Sequence, residues 1–223
     1  MKAFIGTPIT KEQFMKHLKW HQEQDAFIKG TYYEKDSEEF KGCAVGCSLH
    51  SISMELGIDI SFGDHSDYEK YLGIPEWLAK IEDTIFEGLP NDRYKLWPVE
   101  FGEAIKVGAD LDKIEVPFIV FLLEENIKTL DSLKVDLKHE EVIDVIKLSK
   151  DACKRMINAQ LSGDEKLMES AARSARSARS ARYVAWSAES AAESAAESAE
   201  SAAWSAAYEK YANKLLELMR ECK

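Results

Sequence analysis

Apolar positions in residues 1–163 recur with helical spacing, in short segments that Gly and Pro separate. Thr10 and Gln13 have the spacing of a capping box, in which the side chain of each residue accepts a hydrogen bond from the backbone N–H of the other. The apolar positions that follow predict a helix over residues 11–28, which Gly30 ends. This punctuation is typical of a small helical domain.

Later segments of the front part follow the same pattern. A second helix is predicted over residues 43–56, since Gly57 stands where a helix end favours a left-handed glycine. Residues 117–125 are continuously apolar and suit a buried helix or a buried strand. Helical neighbours on both sides favour the helix. Further helices are predicted over residues 66–72, 75–86 and 140–160. Residues 97–105 are predicted to form another short helix or a turn.

Composition changes abruptly at Gly163, which divides the chain into two predicted parts. Every Pro and every other Gly precedes this residue, and the residues after it are mainly Ser, Ala, Glu and Arg. We therefore predict an all-α protein. A compact helical domain is expected over residues 1–163, and an Ala/Ser-rich helical segment, the tail, over residues 164–223.

Serine recurs in the tail about every 3.5 residues between Ser170 and Ser205, which places it on one helical stripe beside a stripe of alanine. Small side chains allow two helix backbones to approach closely. A long solvated helix or a low-complexity spacer is the simplest interpretation. The large side chains of Tyr183, Trp186 and Trp204 favour a packed helix instead.

Charged residues in the tail form two blocks that mirror each other about Trp186. Arginine occupies positions 173, 176, 179 and 182, and glutamate occupies positions 189, 193, 197 and 200. An antiparallel helix crossing at the midpoint would set Arg173, Arg176 and Arg179 against glutamates. This pattern predicts either a helical hairpin or an antiparallel homodimer, or higher oligomer, through the tail. Exposed ion pairs contribute only about 0–1 kcal/mol each, so the charges would set the register and the packing would supply the stability.

Charge and composition oppose several classes of protein. The chain carries 29 basic and 40 acidic residues, a formal net charge of −11, which opposes general affinity for nucleic-acid phosphates. No apolar run approaches the ~20 residues of a membrane span, so no membrane partner is expected. The first residues lack a secretory signal's apolar core, and four cysteines suit a reducing compartment. A cytoplasmic protein is expected.

Cys43, Cys47 and His50 would share one face of the second predicted helix, at positions i, i+4 and i+7. The simplest interpretation is structural, since buried cysteine usually behaves as a small hydrophobic residue. A zinc site made by the two cysteines with one or two histidines is possible, although their spacing is not a recognised structural zinc pattern.

Two functional interpretations of the same segment stay open. Gly42 and the free N–H groups of a helix N-terminus, with Lys41 adjacent, could hold an anion such as phosphate. Alternatively, Cys43 could be a reactive thiolate that His50 or His65 serves as a base.

Three carboxylates, Glu82, Asp83 and Glu87, lie near the end of a predicted helix, where the helix dipole disfavours negative charge. A solvated acidic edge is the favoured interpretation. The alternative is compensation of their charge by a cation, or by Arg93 and Lys95 further along the chain.

Four blocks of the chain resemble a group of hypothetical proteins from bacteria and their phages. The blocks are residues 30–32 (GTY), 42–47 (GCAVGC), 73–75 (GIP) and 82–90 (EDTIFEGLP). Those proteins also end in an Ala-rich helical tail with interspersed Trp and Arg, so the resemblance covers most of the chain. The tail alone is similar in composition to the helical repeats of some immunity proteins.

This resemblance implies a phage accessory protein that acts on host defence in the host cytoplasm. Some such proteins sequester nucleotide second messengers without cleaving them. We therefore expect a non-enzymatic binding protein for a nucleotide-like signalling molecule, with no cofactor and no metal. The alternatives are an immunity- or inhibitor-type protein-interaction module and a cysteine-dependent hydrolase. The expected ligand-binding residues are aromatic side chains, the start of the second helix and basic side chains: Tyr32, Tyr33, Lys41, Gly42, Cys43, Cys47, His50, Arg93, Trp97, Arg173, Arg176 and Arg179.

Overall fold

The structure is a computed structural model that describes residues 2–34, 39–90, 92–132, 140–171 and 197–223. These residues are mainly helical and contain no β-strand, so the predicted all-α class is confirmed. None of the described helices combines the length and the apolar composition that a membrane span requires. The helices are α1 (Lys11–Glu23), α2 (Ala44–Leu56), α3 (Ser66–Leu72), α4 (Glu76–Gly88), α5 (Arg93–Ala104), a 3-10 helix (Leu111–Ile114), α6 (Glu115–Ser132), α7 (Glu140–Ser162) and α8 (Glu197–Glu221).

The chain divides into two compact units. The first comprises Met1–Glu115 with Ser201–Lys223, and the second comprises Val116–Glu200. The end of the predicted tail thus belongs to the first unit, where Leu215 and Met219 of α8 are fully buried. The predicted boundary after Gly163 falls within the range of the second unit. It stays a prediction, because the middle of the tail lies outside the described residues.

Helix α1 begins as predicted and ends earlier than predicted. The Thr10 side chain accepts a hydrogen bond from the Gln13 backbone N–H, and the Gln13 side chain accepts one from the Thr10 backbone N–H. The predicted end at residue 28 is wrong, because Asp25 adopts a left-handed conformation with φ of 50° just after the helix. Phe27 then forms a parallel bridge with Gly42. The chain therefore turns back across the start of α2.

Helix α2 is buried over its first two turns and lies under the backbone of Tyr32. Its N-cap is Cys43, whose Sγ accepts a hydrogen bond from the Gly46 N–H at 3.4 Å. Gly57 ends the helix in the predicted left-handed conformation, with φ of 63°. A Cβ atom at Gly42 or at Gly46 would overlap the carbonyl oxygen of Tyr32. Glycine at both positions is what allows this close approach.

The core of the first unit is built on α2, which packs against α1, α3 and α4, while α5 packs against α1 and α4. Its largest fully buried side chains are aromatic: Phe14, Phe27, Tyr68, Phe86, Trp97 and Phe101. In the second unit, the apolar run 117–125 lies within α6, which confirms the helix over the strand. The junction of α2, α3 and α4 is where the chemically distinctive side chains meet.

Candidate functional site

Four side chains with different chemistry converge where α2, α3 and α4 meet: Cys43, His65, Asp83 and Glu87. One ligand-type atom from each of Cys43, Asp83 and Glu87 lies within 4.8 Å of the others. His65 Nε2 lies 3.6 Å from Asp83 Oδ2. We call these four side chains the mixed cluster. Two blocks of sequence that carried separate predictions therefore form one site.

Backbone contacts hold the members of the mixed cluster in place. Cys43 is 2% exposed and is fixed by its role as the N-cap of α2. Both Glu87 carboxylate oxygens accept from the Gly30 N–H at 3.1 Å. The ammonium group of Lys29 donates to the main-chain carbonyls of Glu87 and Leu89. That lysine therefore ties the end of α4 to the preceding loop through main-chain oxygens.

Glu82 is a buried carboxyl group directly beside the mixed cluster. It is 0% exposed, and neither of its carboxyl oxygens has a hydrogen-bond partner. Burial raises the pKa of Glu82 to about 8; the nearby Tyr68 hydroxyl lowers it, and the charge of Asp83 raises it further. The interpretation of these acidic residues as a solvated edge is wrong for Glu82, because it lies on the buried face of α4 with Leu78 and Ile85.

Neither of the basic side chains considered as partners for the acidic residues of α4 pairs with them. Arg93 Nη2 lies 2.5 Å from a carboxylate oxygen of Glu100, and Lys95 Nζ lies 2.6 Å from a carboxylate oxygen of Asp25. In the part of the chain that the structure describes, no lysine or arginine forms an ion pair with the acidic residues at positions 82, 83 and 87. Asp83 instead contacts His65, and Glu82 and Glu87 form no ion pair among the described residues.

The environment of Cys43 does not suit a thiolate nucleophile. Burial is the main cause that raises the pKa of its thiol, and the charge of Asp83 raises it further. In a cysteine hydrolase, a histidine stands next to the thiol and a carboxylate orients that histidine. Here the carboxylate of Asp83 is the group beside the thiol, and His65 contacts Asp83. The arrangement keeps Cys43 protonated at neutral pH.

Three of the N–H groups at the proposed anion site, those of Gly42, Cys43 and Gly46, are engaged within the protein. The Gly42 N–H donates to the Ala26 carbonyl at 3.0 Å, and the Cys43 N–H donates to the Thr31 carbonyl at 2.9 Å. The Gly46 N–H donates to Cys43 Sγ. An anion would have to displace these bonds.

Cys47 and Lys41 flank the same turn of chain without joining the mixed cluster. The Cys47 thiol is fully buried and donates toward the Gly42 carbonyl at 3.5 Å. Burial raises the pKa of this thiol as well. Lys41 is half-buried, just ahead of α2.

His50 belongs to a second feature, which we call the aromatic patch: Tyr33, Phe40, His50 and Phe62. The rings of His50 and Phe40 are stacked, with centroids 3.8 Å apart and planes 4° apart. Tyr33 is nearly parallel to Phe40, at 6.4 Å and 15°. The ring of Phe62 makes an edge-to-face contact with each of the other three rings. Tyr33 is 36% exposed and the other three are half-buried, so the patch reaches the surface.

The remaining expected ligand-binding residues lie in different places. Tyr32 is 40% exposed, and its ring meets His65 edge to face at 5.9 Å, beside the mixed cluster. Trp97 is fully buried and its Nε1 donates to the Glu82 carbonyl at 3.1 Å, so its indole is part of the core. Arg93 is bound to a glutamate, as described above. Arg173, Arg176 and Arg179 lie outside the described residues.

Comparison of the chain with protein-family models, curated proteins and solved structures finds no match. Function is therefore inferred from the geometry of the two features. The sequence-based list of ligand-binding residues lacked His65, Asp83 and Glu87. Helical spacing gave a signal only for the neighbouring Glu82, which follows Leu78 by four residues on the apolar face of α4.

Proposed function

We propose that this protein is a non-enzymatic binding protein that holds a planar, nucleotide-like molecule on the aromatic patch. The supporting observation is the series of nearly parallel rings, His50, Phe40 and Tyr33, that reaches the surface. Burial lowers the pKa of His50, so its ring is neutral at pH 7 and stacks as an aromatic group. Stacking on such rings contributes about 1–3 kcal/mol per nucleobase and tolerates any base.

Stacking, more than phosphate capture, supplies the affinity in this proposal. Lys41 directly follows Phe40 and is half-buried, so one basic side chain adjoins the patch in sequence. Three N–H groups at the start of α2, those of Gly42, Cys43 and Gly46, are engaged by the protein. The ligand-binding role expected for Arg173, Arg176 and Arg179 stays a prediction from the sequence, because these residues lie outside the described ranges.

The state of the Cys43 thiol also favours a binding role over hydrolysis. Hydrolysis by Cys43 requires a thiolate, and burial together with Asp83 holds that thiol in its protonated form. In the narrower form of the proposal, the protein sequesters a nucleotide second messenger without cleaving it, as a phage protein acting against host defence would do.

Calorimetric titration of the full-length protein with cyclic dinucleotides and ADP-ribose-type nucleotides tests the binding proposal. We expect at least one of them to bind, and Tyr33→Ala to weaken that binding about tenfold, because one stacking surface is removed. Leu96→Ala is the control, since Leu96 is an apolar side chain of α5 that is 49% exposed. The ligand should be recovered intact by chromatography. Failure of every nucleotide to bind, or cleavage of the bound one, would contradict the proposal.

Self-association through the tail is the second part of the proposed function, and it rests on the mirrored charge blocks of the sequence. Light scattering should give the mass of a dimer or a larger oligomer, and replacing Arg173, Arg176 and Arg179 by glutamate should shift it toward the monomer at low salt. Truncation after Gly163 is unsuitable, because it would remove buried side chains of α8 from the first unit. A wild-type protein that is monomeric at all concentrations contradicts this part.

A further inference from the structure

We propose that the mixed cluster binds one zinc-class divalent cation, with Cys43, Asp83 and Glu87 as its three protein ligands. The inference concerns a site other than the aromatic patch, and it holds whether or not a nucleotide binds there. Its basis is the donor set, its geometry, and the charge around it.

The donor set selects the class of metal. A thiolate sulfur with two carboxylate oxygens suits Zn²⁺ and similar thiophilic ions, which bind sulfur at about 2.3 Å and oxygen at about 2.0–2.2 Å. Calcium and magnesium prefer sites made entirely of oxygen. Cys43 is buried, so its sulfur is protected from competing reactions in the way that a ligand sulfur requires. The cluster therefore favours zinc over the hard cations.

The three ligand-type atoms are close enough for side-chain rotation to bring them around one ion. They lie within 4.8 Å of one another. Neighbouring donors of a tetrahedral zinc site are about 3.4–3.6 Å apart, so the side chains must close in by up to about 1 Å. Asp83 Oδ1 is a buried atom without a hydrogen-bond partner, while Oδ2 of the same carboxylate faces His65. One oxygen is thus available to a metal, and His65 is placed to orient the other.

Buried carboxyl oxygens without partners are a second observation that favours a cation. Asp83 Oδ1 and both carboxyl oxygens of the adjacent Glu82 are buried and have no hydrogen-bond partner. The negative charge of the cluster comes from Asp83 and Glu87, since Glu82 is protonated at neutral pH. No described lysine or arginine forms an ion pair with either of them, although His65 contacts Asp83. Buried polar atoms without partners are costly, and a cation bound at Asp83 would give Oδ1 a partner.

Binding exchanges one proton for one metal ion at the sulfur. The Cys43 S–H bond breaks, its proton passes to solvent, and the sulfur lone pair forms the bond to the metal. Asp83 and Glu87 bind as carboxylates. Three protein ligands leave a fourth position for water or for a donor atom of a bound molecule, as in zinc sites that exchange ligands.

Titration of the chelator-stripped, full-length protein with Zn²⁺, and separately with Co²⁺, tests the inference. We expect one equivalent of Zn²⁺ to bind and Mg²⁺ not to compete. The Co²⁺ form should show the charge-transfer absorption of a cobalt–thiolate bond, and Cys43→Ser should abolish that band. Serine preserves the helix N-cap, so this variant should fold. Glu87→Gln, at a side chain near the surface, should weaken Zn²⁺ binding at least about tenfold.

Two matched variants separate the site from general effects of mutation. Cys47→Ser changes another buried cysteine of α2, and Glu76→Gln changes another carboxylate of α4 that pairs with Lys80. Both should bind metal as the wild type does, and circular dichroism with chelator present checks that all variants fold. The inference is overturned if no stoichiometric Zn²⁺ binds. It is equally overturned if the bound metal is insensitive to Cys43→Ser, as zinc held by His17 and Glu55 would be.

Discussion

Replacing Glu82 by glutamine is expected to stabilise the metal-free protein at pH 8 and to change its stability little at pH 4. The pKa of Glu82 rises from 4.5 to about 8 on folding, chiefly through burial. Between these values the folded state holds a proton that the unfolded state has released, so stability falls as the pH rises through this range. Glutamine cannot ionise and avoids that loss, which amounts to about 4 kcal/mol at pH 8.

Urea unfolding at pH 4, 6 and 8 with a chelator present measures this effect as the difference between the variant and the wild type. Glu23→Gln is the control, since Glu23 is an exposed carboxylate of α1 and should show no such trend. A difference that stays constant across the three pH values would show that Glu82 ionises freely in the folded protein, and the account of its burial would be wrong.

Replacing Gly46 by alanine is expected to destabilise the protein by about 3 kcal/mol or more, although alanine favours helix. The added Cβ would overlap the carbonyl oxygen and the carbonyl carbon of Tyr32, which are backbone atoms and cannot rotate away. Either the turn at Tyr32 or the start of α2 must shift. Because Cys43 caps that helix, the mixed cluster would also be disturbed. Chemical unfolding followed by circular dichroism measures the loss.

Gly63→Ala is the control, because a Cβ at position 63 would contact the side chain of Tyr32 and not its backbone. A Cβ at Gly63 would meet the ring of Tyr32 at 3.0 Å, and a partly exposed ring can move by a few tenths of an ångström. A loss well below that of Gly46→Ala is therefore expected. If the two variants lose equal stability, the close backbone approach over α2 is not what requires glycine at position 46.

Local rules predicted the helices and many of their ends, because the signals are contained in a few neighbouring residues. The capping box at Thr10 and Gln13 and the left-handed Gly57 are both present as predicted. The end of α1 was mispredicted because apolar Phe27 continues the helical pattern, while its burial comes from a bridge to Gly42. Pairing between segments that are distant in sequence leaves no such local signal.

The sequence by itself determined the all-α class, the approximate positions of most helices and the presence of two unusual blocks, since helix periodicity and capping act over a few residues. Only the tertiary structure decided that Cys43 lies beside Asp83 and Glu87, that Glu82 faces the core and that the indole of Trp97 is fully buried. These facts depend on how α2, α3 and α4 pack. Packing is set by close approaches such as that of Tyr32 to α2, which become visible only when all the elements are in place.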